Sequence, residues 1–136
     1  LFDIFWFYKS GTLAVTVVLS HIKIRAAERY SWMNDLKKLP DWKKIHHVVI
    51  IPTFKEPELT LIRGIDSIAE QDLNPKQITV VLAMEDRETG ALQKGNALKK
   101  KYEGIFANFF ITIHPDIEGE VKGKSSNEAW AGRWVK

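Results

Sequence analysis

The stretch HHVVIIPTFKE, residues 46–56, decides the fold class of this chain. Its apolar residues are mostly β-branched, the run is too short for a buried helix, and it stops at Pro52, so it predicts a buried β-strand. Directly after it, residues 56–71 place Leu61 and Ile65 on one face at helical spacing. A strand followed by an amphipathic helix is the first half of a β-α-β unit.

The same alternation of strand and helix continues to the end of the sequence. QITVVLAM, residues 77–84, predicts a second buried strand, and residues 88–102 predict a mostly polar helix. IFANFFITI, residues 105–113, predicts a third strand or a pair of strands. A capping box, with Ser125 as N-cap and Glu128 three residues later, predicts a last helix. This order predicts an α/β fold, a mostly parallel sheet flanked by helices with right-handed crossovers.

Residues 1–24 are the most apolar part of the chain and predict a hydrophobic, membrane-associated helix. The uncharged run within them, residues 10–22, has 13 residues, whereas a bilayer span needs about 20. Including residues 1–9 gives the required length when Asp3 lies at one interface and Lys9 snorkels or faces a partner helix. The alternative is an amphipathic or buried helix of a soluble protein.

Residues 25–45 are polar and rich in lysine and arginine, and they predict a basic juxtamembrane connector. Positive charge beside a membrane span marks the cytoplasmic side, so the α/β domain, residues 46–136, is predicted to be cytoplasmic. The basic connector also suits an anionic membrane surface, although a plain solvated linker has the same composition.

The composition restricts the class of protein. The 136 residues include no cysteine, which excludes disulfides, thiolate metal ligands and a cysteine nucleophile. The proportions of hydrophobic residues, 45%, and of charged residues, 27%, are those of an ordinary globular protein. The formal net charge of +3 does not by itself indicate nucleic-acid binding, and we expect no nucleic-acid partner.

Polar residues follow the predicted strands, at the edge of a parallel sheet where such folds bind ligands. The first loop contains no glycine and therefore lacks a dinucleotide-binding fingerprint. It offers a hydroxyl, an aromatic ring, a cation and a carboxylate, which suit a nucleotide base and ribose: Thr53, Phe54, Lys55 and Glu56. The second strand is followed by the adjacent carboxylates Glu85 and Asp86, and the third by His114, for which we expect no chemistry.

The stretch GEVKGKSSN, residues 119–127, is similar to a phosphate-binding loop but fails its spacing. Such a loop needs four residues between its first glycine and the Gly-Lys-Ser/Thr, and here three intervene, while the position that would need glycine is Glu118. A lysine beside a helix N-terminus is unfavourable unless an anion is bound there. Lys124 therefore predicts a contact with phosphate, with a purely structural turn as the alternative.

Taken together, VVIIPTFKE, ITVVLAMED about 30 residues later and the KGKSSN segment resemble the inverting family 2 glycosyltransferases of the GT-A fold. The resemblance is to their membrane-anchored bacterial members and covers residues 46–136. It implies a GT-A-like, Rossmann-like sheet that is incomplete in this sequence. It also implies transfer of a sugar from a nucleotide-sugar donor, a UDP-sugar, to a polysaccharide, lipid or other hydroxyl acceptor, with inversion at the anomeric carbon.

The resemblance also implies a set of donor contacts. The residues that would line the nucleotide pocket or approach the diphosphate are Pro52, Thr53, Glu56, Lys124 and Asn127. Asp86 would accept a hydrogen bond from the uracil ring, and because LAMEDRE replaces the commoner Asp-Asp-Gly-Ser turn, Glu85 is the alternative. Lys55 stands where the family usually has asparagine.

The rest of the site is expected beyond Lys136. The family binds a divalent cation, Mg²⁺ or Mn²⁺, through an Asp-x-Asp, and its catalytic base is a later aspartate. Residues 46–136 would then be the nucleotide-binding N-terminal half of the domain, with no catalytic residue or metal ligand, and inactive alone. The alternatives are a non-catalytic, membrane-proximal α/β binding module and an ATP- or phosphate-binding α/β protein that uses Lys124.

Two smaller patterns predict ordinary structural roles and no binding site. Asp116, Glu118 and Glu120 alternate like cation ligands, but without the rest of a calcium loop they predict a solvated acidic loop. Trp130 and Trp134 are four residues apart on the last predicted helix, which predicts that both are in the core.

Overall fold

A computed structural model describes all residues, 1–136, and divides into two compact units, Leu1–Trp42 and Lys43–Lys136. The first unit contains the long helix α1 (Phe2–Arg29) and the short helix α2 (Trp32–Leu36). None of the residues of α1 is buried, and the helix is long and apolar enough to cross a membrane. A signal sequence or a soluble core helix meets the same criterion of length and composition, but α1 is not a core helix within this chain.

The second unit is a three-stranded parallel sheet with helices on both faces. Its strands are β1 (His47–Pro52), β2 (Ile78–Glu85) and β3 (Asn108–His114), in the spatial order β1-β2-β3. Its helices are α3 (Glu58–Ala69), α4 (Ala91–Lys101) and α5 (Lys124–Val135), and short 3-10 turns lie at Trp42–Lys44 and Pro75–Gln77. The predicted α/β fold with a parallel sheet is confirmed, and the third apolar run forms one strand, not two.

The larger core lies between the sheet and helices α3 and α4. Side chains that alternate along β2 point to this face and meet the apolar stripes of the two helices. The fully buried members are Ile65, Ile78, Val80, Leu82, Met84 and Leu98. All eight residues of β2 are buried, and its central residues, Val80–Met84, form a continuous apolar run, as is usual for the centre of a parallel sheet.

Helix α5 covers the opposite face and packs closely on β2. The buried residues at this contact are small, Val81 and Ala83 on the strand and Ala131 on the helix. The prediction that both tryptophans are core residues is wrong. Trp130 is half-buried and Trp134 is 53% exposed, because the close approach over Ala131 leaves room for the large rings only at the sides of the helix.

The predicted capping box at the start of α5 is also wrong. The N-cap is Gly123, and no side chain caps the helix. The carbonyl of Gly123 accepts the N–H of Asn127 at 3.2 Å and the hydroxyl of Ser126 at 2.8 Å. Ser125 therefore already lies inside the first turn, where its side chain is exposed and cannot serve as a cap.

Candidate functional site

The loops that follow the three strands meet at one edge of the sheet. They comprise residues 53–57, 86–90 and 115–123, and they lead into α3, α4 and α5. All eight residues that the sequence predicts as nucleotide contacts lie at this edge, either at a strand end, in a loop or in the first turn of α5. Pro52 is the last residue of β1 and pairs in register with Ala83 of β2.

The first loop is fixed to the sheet by its backbone. The N–H of Thr53 donates to the carbonyl of Ala83 at 2.8 Å, and the side chain of Thr53 is buried with no partner for its hydroxyl. Lys55 has φ +58°, an uncommon backbone conformation for a residue other than glycine. Its N–H donates to the Glu88 carboxylate at 2.7 Å, which holds the loop in that conformation.

Glu88 and Lys94 form a buried ion pair that supports the same loop. The exposed fractions of their side chains are 8% and 15%. Lys94 Nζ also donates to the carbonyl of Glu56 at 2.9 Å, so the pair contacts the loop at two successive residues. Burial acts to raise the pKa of Glu88, but the hydrogen bonds from Lys94 and from the Lys55 N–H outweigh it and lower the pKa. The carboxylate is therefore ionised at neutral pH.

Two cations lie close to the ring of Phe54. Lys55 Nζ is 5.0 Å and Arg87 Cζ is 4.6 Å from the centre of its ring, both within cation–π distance. Arg87 also pairs with Glu85, its Nε donating to the carboxylate at 3.0 Å. These contacts keep a half-buried aromatic ring at the edge of the sheet.

The carboxylates at this edge fall into two groups. Glu85 is only 5% exposed and forms an ion pair with Arg87, so its carboxylate is not available to a ligand. Glu56 is half-buried and Asp86 is exposed, and neither carboxylate has a hydrogen bond or ion pair within the chain. Only the backbone N–H of Asp86 is engaged, with the carbonyl of His114 at 2.9 Å. Glu56 and Asp86 are thus the acceptors available to a ligand.

The third loop is held by its own charged residues. His114 is buried, with Nε2 3.0 Å from the Glu120 carboxylate and its ring 5.2 Å from the Trp130 ring. Lys122 donates to Asp116 at 2.7 Å, and this hydrogen bond lowers the pKa of the Asp116 carboxyl. No group of three or more histidine or acidic side chains in the chain is arranged to hold a metal ion.

The first turn of α5 contains one exposed and one buried candidate. Lys124, the first residue of the helix, is exposed and has no partner in the chain. Asn127 is 1% exposed, and its Nδ2 donates to the carbonyl of Ala83 at 2.8 Å. Asn127 therefore connects α5 to the sheet, while Lys124 is available to an anion.

We expect Asn127→Ala to destabilise the α/β unit by about 1–3 kcal/mol, because a buried hydrogen bond and its packing are lost. Urea unfolding of the full chain in detergent micelles measures the change. Ser125→Ala, an exposed position in the same turn, is the control and is expected to change stability by less than about 0.5 kcal/mol. Equal stability of the two variants would contradict this role for Asn127.

Sequence reasoning missed Glu88, Lys94 and the pairing of His114. The contacts of Glu88 and Lys94 with the first loop lie far away along the chain, since Lys55 and Glu88 are separated by 33 residues and Glu56 and Lys94 by 38. His114 and Glu120 are only six residues apart, but no regular pattern in a loop indicates such a contact. Glu88 and Lys94 resembled ordinary polar residues of a surface helix, and no local signal marks them as buried.

No protein family, curated protein or solved structure matches this chain. The functional interpretation therefore depends on the chemistry of the residues at this edge of the sheet and on the resemblance of the sequence motifs.

Proposed function

We propose that the α/β unit binds the nucleotide of a sugar-nucleotide donor, a UDP-sugar, at the carboxyl edge of its sheet. The observation that carries this proposal is that two carboxylates without a partner in the chain, Glu56 and Asp86, lie at the same edge of the sheet as the aromatic ring of Phe54. Carboxylates accept hydrogen bonds from ribose hydroxyls and from the N–H of uracil, and an aromatic ring provides a stacking surface for a base.

The cations of the same edge suit the diphosphate. Lys124 has no partner, and it stands at the N-terminus of a helix whose first N–H groups attract anions. Lys55 is exposed beside the Phe54 ring. A ligand with a base, a ribose and a diphosphate would use the carboxylates for its base and ribose and the lysines for its diphosphate.

In this proposal the chain is the donor-binding half of a family 2, GT-A-type glycosyltransferase anchored in a membrane by α1. The acceptor hydroxyl, on a glycan or lipid, attacks the anomeric carbon while the nucleoside diphosphate leaves, which inverts that carbon. A divalent cation, Mg²⁺ or Mn²⁺, would neutralise the charge of the leaving diphosphate in the complete enzyme. In the family that the sequence resembles, an Asp-x-Asp binds this cation and a later aspartate is the catalytic base, and this proposal assigns neither role to any of residues 46–136.

The basic residues that follow the apolar part of α1 place the α/β unit on the cytoplasmic side in this proposal. A sugar nucleotide made in the cytoplasm would then reach the site without crossing the membrane.

Binding of UDP to the full chain in lipid nanodiscs, measured by calorimetry, tests the proposal. We expect UDP to bind in preference to ADP, and Glu56→Gln and Asp86→Asn each to weaken binding by about tenfold, since each replaces a charge-assisted hydrogen bond with a weaker neutral one. Glu118→Gln is the matched control, an exposed acidic residue of the third loop with the same change of charge. It is expected to bind UDP like the original chain.

The alternatives give different outcomes in the same experiment. ATP binding without preference for uridine, abolished by Lys124→Ala, would identify an ATP- or phosphate-binding protein. No binding of any nucleotide, with Glu56→Gln and Asp86→Asn indistinguishable from the original chain, would leave the non-catalytic binding module as the function.

A further inference from the structure

The edge of the sheet opposite the candidate site is basic. The strands begin there, and α3 and α4 end there because they run antiparallel to the strands. The segments at this edge are residues 43–46, 70–77 and 99–107. They contain six lysines against three carboxylates. The lysines are Lys43, Lys44, Lys76, Lys99, Lys100 and Lys101, and the carboxylates are Glu70, Asp72 and Glu103.

The loops at the carboxyl edge have an excess of negative charge. Residues 53–57, 86–90 and 115–123 contain six carboxylates against three cations. The α/β unit is therefore electrically polarised along its strands, positive where they begin and negative where they end. A bilayer with anionic lipids attracts the positive end and repels the negative end, which orients the unit.

The connection to the first unit enters at the basic edge. Gln77 Nε2 donates to the carbonyl of Lys43 at 2.8 Å and to that of Ile45 at 3.3 Å, so the segment that leads into β1 is fixed there. Residues 30–42 separate this segment from the end of α1 at Arg29. When α1 is in a membrane, this short tether keeps the basic edge within reach of the bilayer surface.

The basic edge also has a recess suited to a lipid headgroup. Its volume is about 430 Å³, and its lining includes Lys76, Lys99 and Lys100. Lys76 is engaged, since its Nζ donates to the carbonyls of Gly104 and Phe106, whereas Lys99 and Lys100 are exposed and have no partner. Ile105, in the segment that follows α4 at the same edge, is 39% exposed and offers an apolar side chain.

We propose that this basic edge docks on an anionic bilayer surface, with lipid phosphates against Lys99 and Lys100 and Ile105 at the headgroup boundary. The candidate nucleotide site then faces away from the membrane, towards the aqueous phase. The docking proposal depends on α1 as a membrane anchor and does not depend on nucleotide binding. Either proposal can therefore be overturned while the other stands. A membrane is favoured over a nucleic acid because only residues 30–42 separate this edge from α1, which is long and apolar enough to cross a membrane.

The chain has no cysteine, so a single introduced cysteine can carry a fluorophore. We would label Asn96→Cys, in the lining of the recess, and Ser125→Cys, exposed at the opposite edge, in the full chain in nanodiscs. With a quencher on the lipid headgroups, we expect the Asn96→Cys label to be quenched in nanodiscs with phosphatidylserine. Quenching should fall in phosphatidylcholine alone and at high salt, since surface attraction is screened. The Ser125→Cys label should stay unquenched.

Charge variants test which residues dock. Lys99→Gln with Lys100→Gln is expected to weaken docking about 25-fold, at roughly fivefold for each lysine near an anionic surface. Lys55→Gln with Lys122→Gln removes the same charge at the other edge and is the control, expected not to weaken docking.

Three results would overturn the proposal. The first is equal quenching of the Asn96→Cys label in anionic and neutral nanodiscs. The second is loss of quenching of that label in anionic nanodiscs when an RNA oligonucleotide is added at low concentration. This result would identify nucleic acid as the partner. The third is recovery of the chain outside the nanodisc fraction, which would remove the anchor on which docking depends.

Discussion

Gly95→Val is expected to unfold the α/β unit or to destabilise it by about 3 kcal/mol or more. Gly95 is in the middle of α4, where the helix lies closest to the sheet. A Cβ at this position would lie 3.0 Å from Met84 Sδ and 3.1 Å from Ile111 Cγ2. Both neighbours belong to the packed core face, so extra methyl groups force strain or displacement of the helix.

Gly64→Val is the matched control for this prediction. Gly64 is also within a helix, α3, but it is exposed, and a Cβ there would meet no atom within 4 Å. Its replacement is expected to be neutral or slightly stabilising, because valine is a better helix former than glycine. Hydrogen exchange of the β2 amides and urea unfolding both measure the difference. Similar stability of the two variants would show that α4 does not need this close approach.

Lys94→Met is expected to destabilise the unit by about 3 kcal/mol, because it leaves the Glu88 carboxylate buried without its cation. It also removes the hydrogen bond to the Glu56 carbonyl, so the first loop loses one of its anchors and UDP binding is expected to weaken as well. Lys99→Met, an exposed lysine on the same helix, is the control and should change stability by less than about 0.5 kcal/mol.

The pH dependence identifies the ion pair as the cause. The pKa of Glu88 is lower in the folded chain than the ordinary value of 4.5, so its ionised form stabilises the fold above that value. This contribution is lost as the pH falls through the folded pKa. The difference in unfolding free energy between the original chain and Lys94→Met should therefore be largest near neutral pH and shrink below about pH 4. A difference that does not depend on pH would indicate lost packing alone.

A second variant separates the charge of Glu88 from its hydrogen bond. Adding Glu88→Gln to Lys94→Met removes the buried charge while an amide oxygen still accepts the N–H of Lys55. We expect this double variant to recover a large part of the lost stability. No recovery would mean that the cation contributes mainly through its contact with the Glu56 carbonyl.

Short-range patterns were sufficient to predict the elements of the α/β unit. β2 is apolar except for Thr79 and Glu85 and is buried throughout, and α3 buries Leu61 and Ile65, two residues of its predicted stripe. These predictions succeed because burial on one face of a strand or helix requires a periodicity that is visible within a few residues.

The start of α5 shows where local signals fail. Ser125 and Glu128 have the spacing of a capping box, yet the N-cap is Gly123 and the helix begins two residues earlier than that box predicts. The hydrogen bond from Asn127 to the Ala83 carbonyl joins the first turn to a strand 44 residues away. This contact, and the close packing of Ala131 on the sheet, sets the position of the helix more strongly than the preference of one serine for a cap.

The amino-acid sequence alone determined the order of strands and helices, the apolar N-terminal helix and the edge of the sheet at which polar residues collect. Only the tertiary structure decided which of those polar side chains have a partner within the chain and which are available to a ligand. Glu85, Glu88 and His114 pair within the chain, whereas Glu56, Asp86 and Lys124 have no side-chain partner. The reason is physical: a buried apolar face requires a periodicity that is visible in the sequence, but neither the burial nor the pairing of a polar side chain has such a signal. Glu85, Glu88 and His114 pair with residues only two to six positions away, and only the folded backbone decides which of the nearby charges meet.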